Sequence, residues 1–324
     1  MTAGVLAAVL REFGDPSVLR VEQVEEPLCD EGFSLVDVSF AGLNFDDLEH
    51  RRGAEPGIQL PAVLGVDVVG RRRRDGRRVV ALMRRGGGYS QVVAAADAHS
   101  VLVPDDIDDT QAIALFEQGI TAYGALKLAG RVRPGESVVV TSAAGGVGHL
   151  AVQLAAALGA KPVIGIASTA AKRAAVTELG ADVALAPEEI GELRGITGGR
   201  GVDLVVDGSG GAQANAALKG LAPFGRLVCY GWRGGAAGCG WIEVSTEELV
   251  DFSIGVAGFW MRHLVDDRAL LTGIADELFD LARTGRLTAR IDRIWPLSDI
   301  AAAHEEFAAR RTIGKVLVDV REVV

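Results

Sequence analysis

The pattern of apolar and polar positions changes character about one third of the way along the chain. The first third contains short runs of β-prone residues that glycine and aspartate interrupt. These runs are Val5–Leu10, Ser34–Phe40, Val66–Gly70, Arg78–Leu82 and Ser90–Ala94. The pattern predicts a β-rich segment whose first strand is Val5–Leu10.

From about Ile120 onward, continuous apolar runs alternate with helical segments. The predicted strands are Ser137–Thr141, Pro162–Ala167, Val202–Val206 and Arg226–Tyr230. The predicted helices between them are Gly148–Leu158, Ala171–Leu179 and Ala212–Leu221. Strands that are apolar along their whole length indicate a parallel sheet with helices on both faces.

The segment after Gly255 does not continue this alternation. It predicts two helices, Arg268–Thr284 and Ser298–Ala309, and a last strand, Lys315–Val320. We therefore predict an α/β protein with two domains. A doubly wound parallel sheet, residues 120–255, is inserted into a second domain formed by residues 1–119 and 256–324.

Composition excludes several classes of function. The 324 residues suffice for two domains. A net charge of −10 argues against nucleic-acid binding, which requires a basic surface. The 3 cysteines have no CxxC spacing, so neither a disulfide framework nor a thiolate metal site is indicated. The small, odd number of cysteines favours a reducing cytoplasm. No apolar run approaches the ~20 residues of a membrane span, so no membrane partner is expected.

The predicted sheet begins with a glycine-rich loop between its first strand and first helix. This loop carries the spacing Ala143-x-Gly145-x-x-Gly148, a dinucleotide fingerprint whose first glycine is replaced. The second glycine lets the backbone approach a pyrophosphate, and the third lets the helix pack on the strand. Because the amides of a helix N-terminus attract anions, we predict a dinucleotide site that also includes Gly146 and Val147.

The end of the second predicted strand indicates which dinucleotide binds. An NAD site usually carries an acidic residue there, about 20 residues after the fingerprint. This chain has Ala167, Ser168 and Thr169 instead, followed by Lys172 and Arg173. A hydroxyl and two cations without a carboxylate favour the 2′-phosphate of NADP(H). The alternative is that both cations are solvated helix charges.

Several motifs in order resemble the zinc-independent quinone oxidoreductase (zeta-crystallin-like) and enoyl reductase branch of the medium-chain dehydrogenase/reductase superfamily. The resemblance covers nearly the whole chain. Besides the glycine loop, it rests on AGLNFDDLEHRRG (41–53), PAVLGVDVVG (61–70), GGYSQVV (87–93), QGITAYGAL (118–126), GVDLVVDGSGG (201–211), GRLVCYG (225–231), GFW (258–260) and GKVLV (314–318).

This resemblance implies a GroES-like β-barrel domain, a Rossmann domain, NADPH in the cleft between them, and a homodimer. It places Asn44 and Asp47 of the NFxD motif near the nicotinamide and the substrate. Its remaining cofactor positions are Thr121, Ser168, Lys172, Gly231, Phe259 and Lys315. The alternative for Asn44 is a turn residue that bonds local backbone, and the alternative for Asp47 is a carboxylate that orients Arg51 one helical turn later.

The chain departs from its relatives at two positions that hold a tyrosine. Ala186 and Pro187 stand where related quinone reductases have an Asn-Tyr pair that helps to hold the 2′-phosphate. Ala54, Glu55 and Pro56 stand where enoyl reductases often have a tyrosine that donates a proton. The NADPH preference therefore depends on Ser168 and the two cations, and no proton donor is identified.

A catalytic metal is not expected. Zinc alcohol dehydrogenases of this superfamily have a cysteine where Asn44 stands and a Gly-His-Glu motif at residues 65–67, which read Gly-Val-Asp here. An amide and a valine do not supply the thiolate and imidazole donors that zinc prefers. Without a metal, hydride transfer to a conjugated acceptor is easier than to a saturated ketone, because the charge delocalises, and an Asn44 amide is the expected donor to the oxygen.

The expected function is an NADPH-dependent reductase of quinones or α,β-unsaturated carbonyl compounds. Two alternatives are a nucleotide-binding protein with little turnover, as in crystallin-like or RNA-binding relatives, and an enoyl reductase for intermediates bound to acyl carrier protein or coenzyme A. The eight arginines of the segment Arg71–Arg85 are either solvated and mutually repelling or a site for such an anionic partner. Trp232, Trp241, Trp260 and Phe259 line either an apolar pocket or a dimer interface.

Overall fold

The computed structural model describes residues 4–54, 57–231 and 241–322. Glu55, Pro56, Trp232 and Cys239 lie outside the described residues. The strands are β1 (Gly4–Leu10), β2 (Leu19–Glu25), β3 (Phe33–Leu43), β4 (Ala62–Val63), β5 (Asp67–Arg72), β6 (Arg78–Leu82), β7 (Val92–Ala96), β8 (Ser100–Leu102), β9 (Val138–Val140), β10 (Val163–Ile166), β11 (Val183–Leu185), β12 (Val202–Asp207), β13 (Leu221–Cys229), β14 (Gly255–Gly258), β15 (Ile291–Pro296) and β16 (Lys315–Asp319).

The α-helices are α1 (Phe45–Arg52), α2 (Asp109–Tyr123), α3 (Gly148–Ala157), α4 (Ala170–Glu178), α5 (Leu193–Ile196), α6 (Gly211–Lys219), α7 (Thr246–Asp251), α8 (Arg268–Arg283) and α9 (Ile300–Ala308). A π-helix, Gly124–Ala129, follows α2 directly. Residues Met1–Glu117, Leu264–Arg283 and Ala289–Val324 form one compact unit, and Gln118–His263 with Thr284–Thr288 form a second. We call these the flanking unit and the central unit.

The central unit contains a six-stranded sheet in the order β11-β10-β9-β12-β13-β14. Every neighbouring pair in it is parallel. This is the doubly wound order 3-2-1-4-5-6 of a Rossmann fold, so the predicted α/β fold class is confirmed. Leu150 and Leu154 show why a helix follows β9: they are four residues apart, both are buried, and α3 packs on β9 and β10.

The last strand of this sheet lies beyond the predicted end of the sheet domain. Strand β14 pairs with β13 from Arg226↔Gly255 to Cys229↔Gly258. Residues 256–263 therefore belong to the central unit, together with the short segment Thr284–Thr288. The predicted boundaries had assigned both segments to the flanking domain.

The flanking unit contains a three-stranded sheet, β2-β1-β4, and a seven-stranded sheet in the order β15-β16-β3-β5-β6-β8, with β7 also paired to β3. All pairs except β15–β16 are antiparallel. Closure of these strands into a GroES-like barrel stays a prediction. Strand β3 runs directly into α1, and it pairs with both β5 and β16, so the ends of these three strands bring distant residues together.

Candidate functional site

Asn44 lies where β3 ends and α1 begins. Its backbone is extended (φ −127°, ψ 164°), as expected for the residue that precedes a helix. Its side chain is buried and bonded on both sides. The Nδ2 atom donates to Asp67 Oδ1 at 2.5 Å, and the Oδ1 atom accepts from Lys315 Nζ at 2.7 Å. The amide therefore joins the ends of β3, β5 and β16.

Lys315 and Asp67 complete this contact as a buried ion pair. Lys315 Nζ lies 3.2 Å from Asp67 Oδ2, and the two side chains are 1% and 0% exposed. A side chain at Gly42 would destroy the arrangement, since a Cβ there would lie 2.3 Å from Asp67 Oδ1 and 2.5 Å from Lys315 Nζ. We call Asn44, Asp67 and Lys315 the ammonium cluster. The resemblance assigns Lys315 to the cofactor, which stays a prediction; in the structure its ammonium contacts Asn44 and Asp67.

Asp47, the second residue of the NFxD motif, binds backbone amides. Its carboxylate accepts from Asn44 N at 2.9 Å and from Gly65 N at 3.0 Å, and it is fully buried. Burial raises the pKa of Asp47 to about 6, because the loss of hydration outweighs these hydrogen bonds. Arg51, the alternative partner, donates instead to the Gly14 carbonyl at 2.6 Å. Asp47 therefore fixes the backbone on both sides of the ammonium cluster.

Glu117 is an acid in the same region that the sequence reasoning missed. It lies on α2 and is partly exposed, whereas Leu115 and Phe116 before it are buried. Burial raises the pKa of its carboxyl to about 8, against the opposing effect of the Lys315 ammonium. A lone glutamate in an apolar helix was the signal available in the sequence.

The donors in this region do not form a metal-binding group. Within residues 4–54, 57–231 and 241–322, no set of three or more histidine, cysteine, aspartate or glutamate side chains is arranged to hold a metal ion. Asn44 and Val66 occupy the two positions compared above with zinc ligands. The side-chain oxygen of Asn44 instead accepts a hydrogen bond from the Lys315 ammonium group.

The glycine-rich loop of the central unit has the geometry of a phosphate site. Ala143 lies beneath the loop, fully buried, and its amide bonds the Ile166 carbonyl at 2.9 Å. A Cβ on Gly148 would lie 2.3 Å from the Ser142 carbonyl oxygen, so only glycine allows the helix this close. The amides of Gly146, Val147 and Gly148 donate to no described residue. They are the open amides that an anion at a helix N-terminus binds.

The structure brings Ser168, Lys172 and Arg173 together at the carboxyl end of β10. Ser168 is exposed, and Thr169 caps α4 by accepting from the Lys172 amide at 3.2 Å. The Arg173 guanidinium donates to the carbonyls of Ala167 at 3.2 Å and Ser168 at 3.4 Å. The Ser168 hydroxyl and the Arg173 guanidinium thus lie at the strand end where dinucleotide-binding proteins recognise the ribose, and Lys172 lies in the first turn of α4.

Thr121 and Phe259 share one neighbourhood of the central unit. The Thr121 hydroxyl contacts Met261 Sδ at 3.7 Å, and the Phe259 ring covers Gly124, where a Cβ would lie 2.0 Å from the ring. Gly231 follows β13 and lies beside Gly208. Trp241 and Trp260 are 62% and 46% exposed, so neither belongs to the core of this unit.

Asp207, at the carboxyl end of β12, also escaped the sequence reasoning. It is buried and accepts from Thr141 Oγ1 at 2.6 Å and from Gly210 N at 2.9 Å. Burial raises its pKa. The Ser142 and Ser209 hydroxyls lie 2.9 Å apart, so Asp207 and these serines connect the loop after β9 to the loop after β12. Polar residues directly after two parallel strands were the available signal.

The arginines of the segment Arg71–Arg85 are mostly neutralised within the flanking unit. Five of the eight form ion pairs: Arg72 with Asp75, Arg73 with Glu26 and Asp37, Arg74 with Asp97, Arg78 with Asp109, and Arg84 with Asp266. Mutual repulsion therefore does not describe this segment.

None of the helices in the described part of the chain has the length and apolar character that a membrane span requires.

The chain is similar to known proteins along nearly its whole length. Residues 146–276 match the family model for zinc-binding dehydrogenases. A 2-haloacrylate reductase from a Burkholderia species is 31% identical over 97% of this chain and 98% of its own length. A quinone oxidoreductase from Pseudomonas aeruginosa is 32% identical over 86% of this chain and 88% of its own. The structure of Escherichia coli quinone oxidoreductase complexed with NADPH superposes with a TM-score of 0.89 at 29% identity, covering 97% of this chain and 99% of that one. The chain therefore belongs to the zinc-independent quinone oxidoreductase branch of the medium-chain dehydrogenase/reductase superfamily.

Proposed function

We propose that this chain is an NADPH-dependent oxidoreductase that reduces quinones or α,β-unsaturated carbonyl compounds. The observation that carries the proposal is the ammonium cluster, which holds a buried positive charge on Asn44 and Asp67 in a member of a reductase family. The named acceptors of the similar proteins, a quinone and a 2-haloacrylate, both contain a C=C bond conjugated to a carbonyl or carboxyl group.

The residues of the central unit fit NADPH. The open amides of the glycine loop suit its pyrophosphate, and Ser168, Lys172 and Arg173 suit its 2′-phosphate. Thr121, Phe259 and Gly231 would hold the nicotinamide half. When bound, this cofactor supplies a hydride.

The flanking unit would provide the electrostatic contribution to the reaction. Hydride addition leaves negative charge on the acceptor, and a fixed positive charge in a poorly hydrated environment stabilises that charge without reorganisation. The Lys315 ammonium carries such a charge, partly offset by the Asp67 carboxylate 3.2 Å away, and Asp47 holds the surrounding backbone in place. Asn44 contributes by fixing Lys315 and Asp67; its Nδ2 group, expected from the sequence to donate to the acceptor oxygen, already donates to Asp67 and Gly42.

Conjugated acceptors suit this arrangement better than saturated ketones. Reduction of an isolated ketone concentrates a full charge on one oxygen, for which a metal or a touching donor is normally required. A conjugated acceptor spreads the charge over an enolate or a hydroquinone anion. One nearby ammonium group then makes a larger relative contribution to transition-state stabilisation than it would for an isolated ketone.

A homodimer is proposed on the exposed edge of the central sheet. Strand β14 pairs only with β13 among the described strands, and Val256 on it is 39% exposed. Phe252, shortly before β14, and Phe224, on β13, are 59% and 86% exposed. An open strand edge with large apolar side chains is a surface that another chain covers. Sedimentation of the purified protein measures this directly, and a monomer at micromolar concentration contradicts it.

The activity is tested with purified protein, NADPH or NADH, and a panel of acceptors. We expect turnover of 1,4-benzoquinone and of a simple enone with NADPH, and no turnover of the matching saturated ketone. An enone presented as a coenzyme A thioester tests the alternative of a carrier-bound substrate. Tight NADPH binding without oxidation by any acceptor would instead support a nucleotide-binding protein with little turnover.

A further inference from the structure

Two pairs of side chains join strand β9 to strand β12, one pair at each end of the strands. At the amino end, the Ser137 hydroxyl donates to Asp203 Oδ2 at 2.7 Å and accepts from the Asp203 amide at 3.0 Å. At the carboxyl end, the Thr141 hydroxyl donates to Asp207 Oδ1 at 2.6 Å and accepts from the Gly208 amide at 3.0 Å. The two ends therefore carry nearly the same hydrogen bonds, with the parallel ladder of the two strands between them.

The contacts at the carboxyl end continue into the loops that follow both strands. Thr141 and Asp207 are both 0% exposed. The second carboxylate oxygen of Asp207 accepts from the Gly210 amide at 2.9 Å, and the Ser142 and Ser209 hydroxyls lie 2.9 Å apart. We call Thr141, Ser142, Asp207 and Ser209 the loop bridge, because they fix the loop after β9 to the loop after β12.

Ser142 connects the loop bridge to the glycine-rich loop. Its φ is +48°, in the left-handed region that residues with a side chain rarely adopt. Its carbonyl accepts from the Gly145 amide at 2.9 Å, so the conformation of Ser142 determines the course of the loop. An unfavourable backbone conformation persists only where the surrounding contacts maintain it. At Ser142 those contacts are the hydrogen bonds of the loop bridge.

We propose that Thr141 and Asp207 are positioning residues for the pyrophosphate of NADPH. They hold the open amides of Gly146, Val147 and Gly148 in place before the cofactor binds. A binding group that is already ordered loses less conformational entropy on binding, and this raises the affinity. The location suits the role, because the order of the doubly wound sheet reverses between β9 and β12, where dinucleotides bind. This inference rests on the cofactor of the proposed function.

Matched substitutions at the two ends of the strands test the proposal. Thr141→Val keeps the shape of the side chain but removes both hydrogen bonds, and Ser137→Ala removes the equivalent two at the amino end. The loss of one hydrogen bond typically changes an equilibrium about 2- to 12-fold. Thr141→Val should therefore weaken NADPH binding at least ~5-fold and Ser137→Ala less than about 2-fold, although both should lower the melting temperature. Thr141→Ser, which keeps the hydroxyl, should bind NADPH as the parent does.

Fragments of the cofactor show which of its groups the loop bridge serves. The 2′-phosphate derivative of ADP-ribose contains the pyrophosphate without nicotinamide, and adenosine 2′-monophosphate contains neither. In calorimetric titrations, Thr141→Val should weaken NADPH, NADH and phospho-ADP-ribose by the same factor and leave adenosine 2′-monophosphate unchanged. Weaker binding of adenosine 2′-monophosphate would indicate general damage to the unit, and weaker binding of NADPH alone would indicate a role at the nicotinamide. Either result overturns the proposal.

Hydrogen exchange without cofactor measures the ordering of the loop directly. The amides of Ala143 and Gly145 are bonded in the free protein, so peptides that contain them should exchange faster in Thr141→Val and at the parental rate in Ser137→Ala. Equal exchange in the two variants contradicts the proposal.

A milder substitution covers the case in which Thr141→Val does not fold. Ser209 is partly exposed, and Ser209→Ala removes only the hydroxyl contact with Ser142, so this variant should weaken NADPH binding about 2-fold or more. If the parent binds NADPH and the folded variants bind it equally well, this inference fails and the proposed function stands. If the parent binds neither NADPH nor phospho-ADP-ribose, the cofactor of the proposed function is itself wrong.

Discussion

Replacement of Lys315 by methionine tests whether the ammonium cluster holds the flanking unit together. The side chains of Lys315 and Asp67 are 1% and 0% exposed, so the substitution leaves a buried carboxylate whose remaining partner is the Asn44 amide. Removal of one member of a buried ion pair costs about 3–5 kcal/mol. For a unit of this size that corresponds to a decrease in melting temperature of roughly 6–20 °C.

The second substitution of the cycle is Asp67→Asn, which removes the opposite charge. If the broken ion pair causes the loss of stability, the double variant Lys315→Met, Asp67→Asn should be more stable than the sum of the two single effects predicts, by about 1–3 kcal/mol. Thermal unfolding followed by circular dichroism gives the totals, and hydrogen exchange of peptides from β3, β5 and β16 assigns the loss to the flanking unit. Lys219→Met, an exposed lysine on α6, is the control and should be neutral. Additive single effects, or a melting temperature for Lys315→Met close to that of the parent, would refute this reasoning.

Three other predictions follow from the same contacts. Lys172→Ala should reduce the preference for NADPH over NADH at least ~10-fold, because a charged hydrogen bond contributes about 1.5–3 kcal/mol. The control Lys219→Ala should leave this preference unchanged, and fluorescence titration with each cofactor measures the two affinities. Gly148→Ala should abolish NADPH binding, since its Cβ would lie 2.3 Å from a loop carbonyl, and Gly191→Ala, which meets nothing within 4 Å, should not. The folded pKa of Asp47, about 6, lies above its ordinary value of 3.8, so the stabilising contribution of its protonated form is full below pH 3.8 and is lost as the pH rises through about 6. Asp47→Asn should therefore flatten the dependence of the unfolding free energy on pH in this window, by up to about 3 kcal/mol. An unchanged pH dependence contradicts this prediction.

Four of the six strands of the central sheet could be predicted from the sequence; the two edge strands, β11 and β14, are only partly buried and were not predicted. Strands β9 and β10 are apolar throughout and β12 is mostly so, and the predicted strands match the observed ones within one residue at each end. Strand β13 was predicted too short, and its first residue, Leu221, was assigned to the preceding helix. The strand is interrupted at Phe224, whose φ is +66°, and the pairing with β12 shifts register, so the apolar pattern breaks at that point.

The chemistry of the flanking unit was less accessible to sequence reasoning for a different reason. Asn44, Asp67 and Lys315 lie at the ends of three strands that are adjacent in the sheet but far apart in the chain. A local motif identifies Asn44 as important, yet its partners depend on strand order, which no spacing along the chain encodes. The same applies to Glu117: a single glutamate on a mostly apolar helix appears solvated until the elements around it are known.

The Lys315 ammonium differs from a zinc ion because a carboxylate is paired with it, and this difference limits the chemistry. A metal ion binds the reacting oxygen directly as a ligand and so stabilises the full negative charge on it. The Lys315 ammonium is buried and already bonded to Asn44 and Asp67, so its contribution is the field of an ion pair, which is weaker than that of an isolated charge. A field of this kind favours transition states whose charge is spread over several atoms. Under the proposed function, an acceptor that delocalises its charge is therefore expected to react faster than a saturated ketone of similar size.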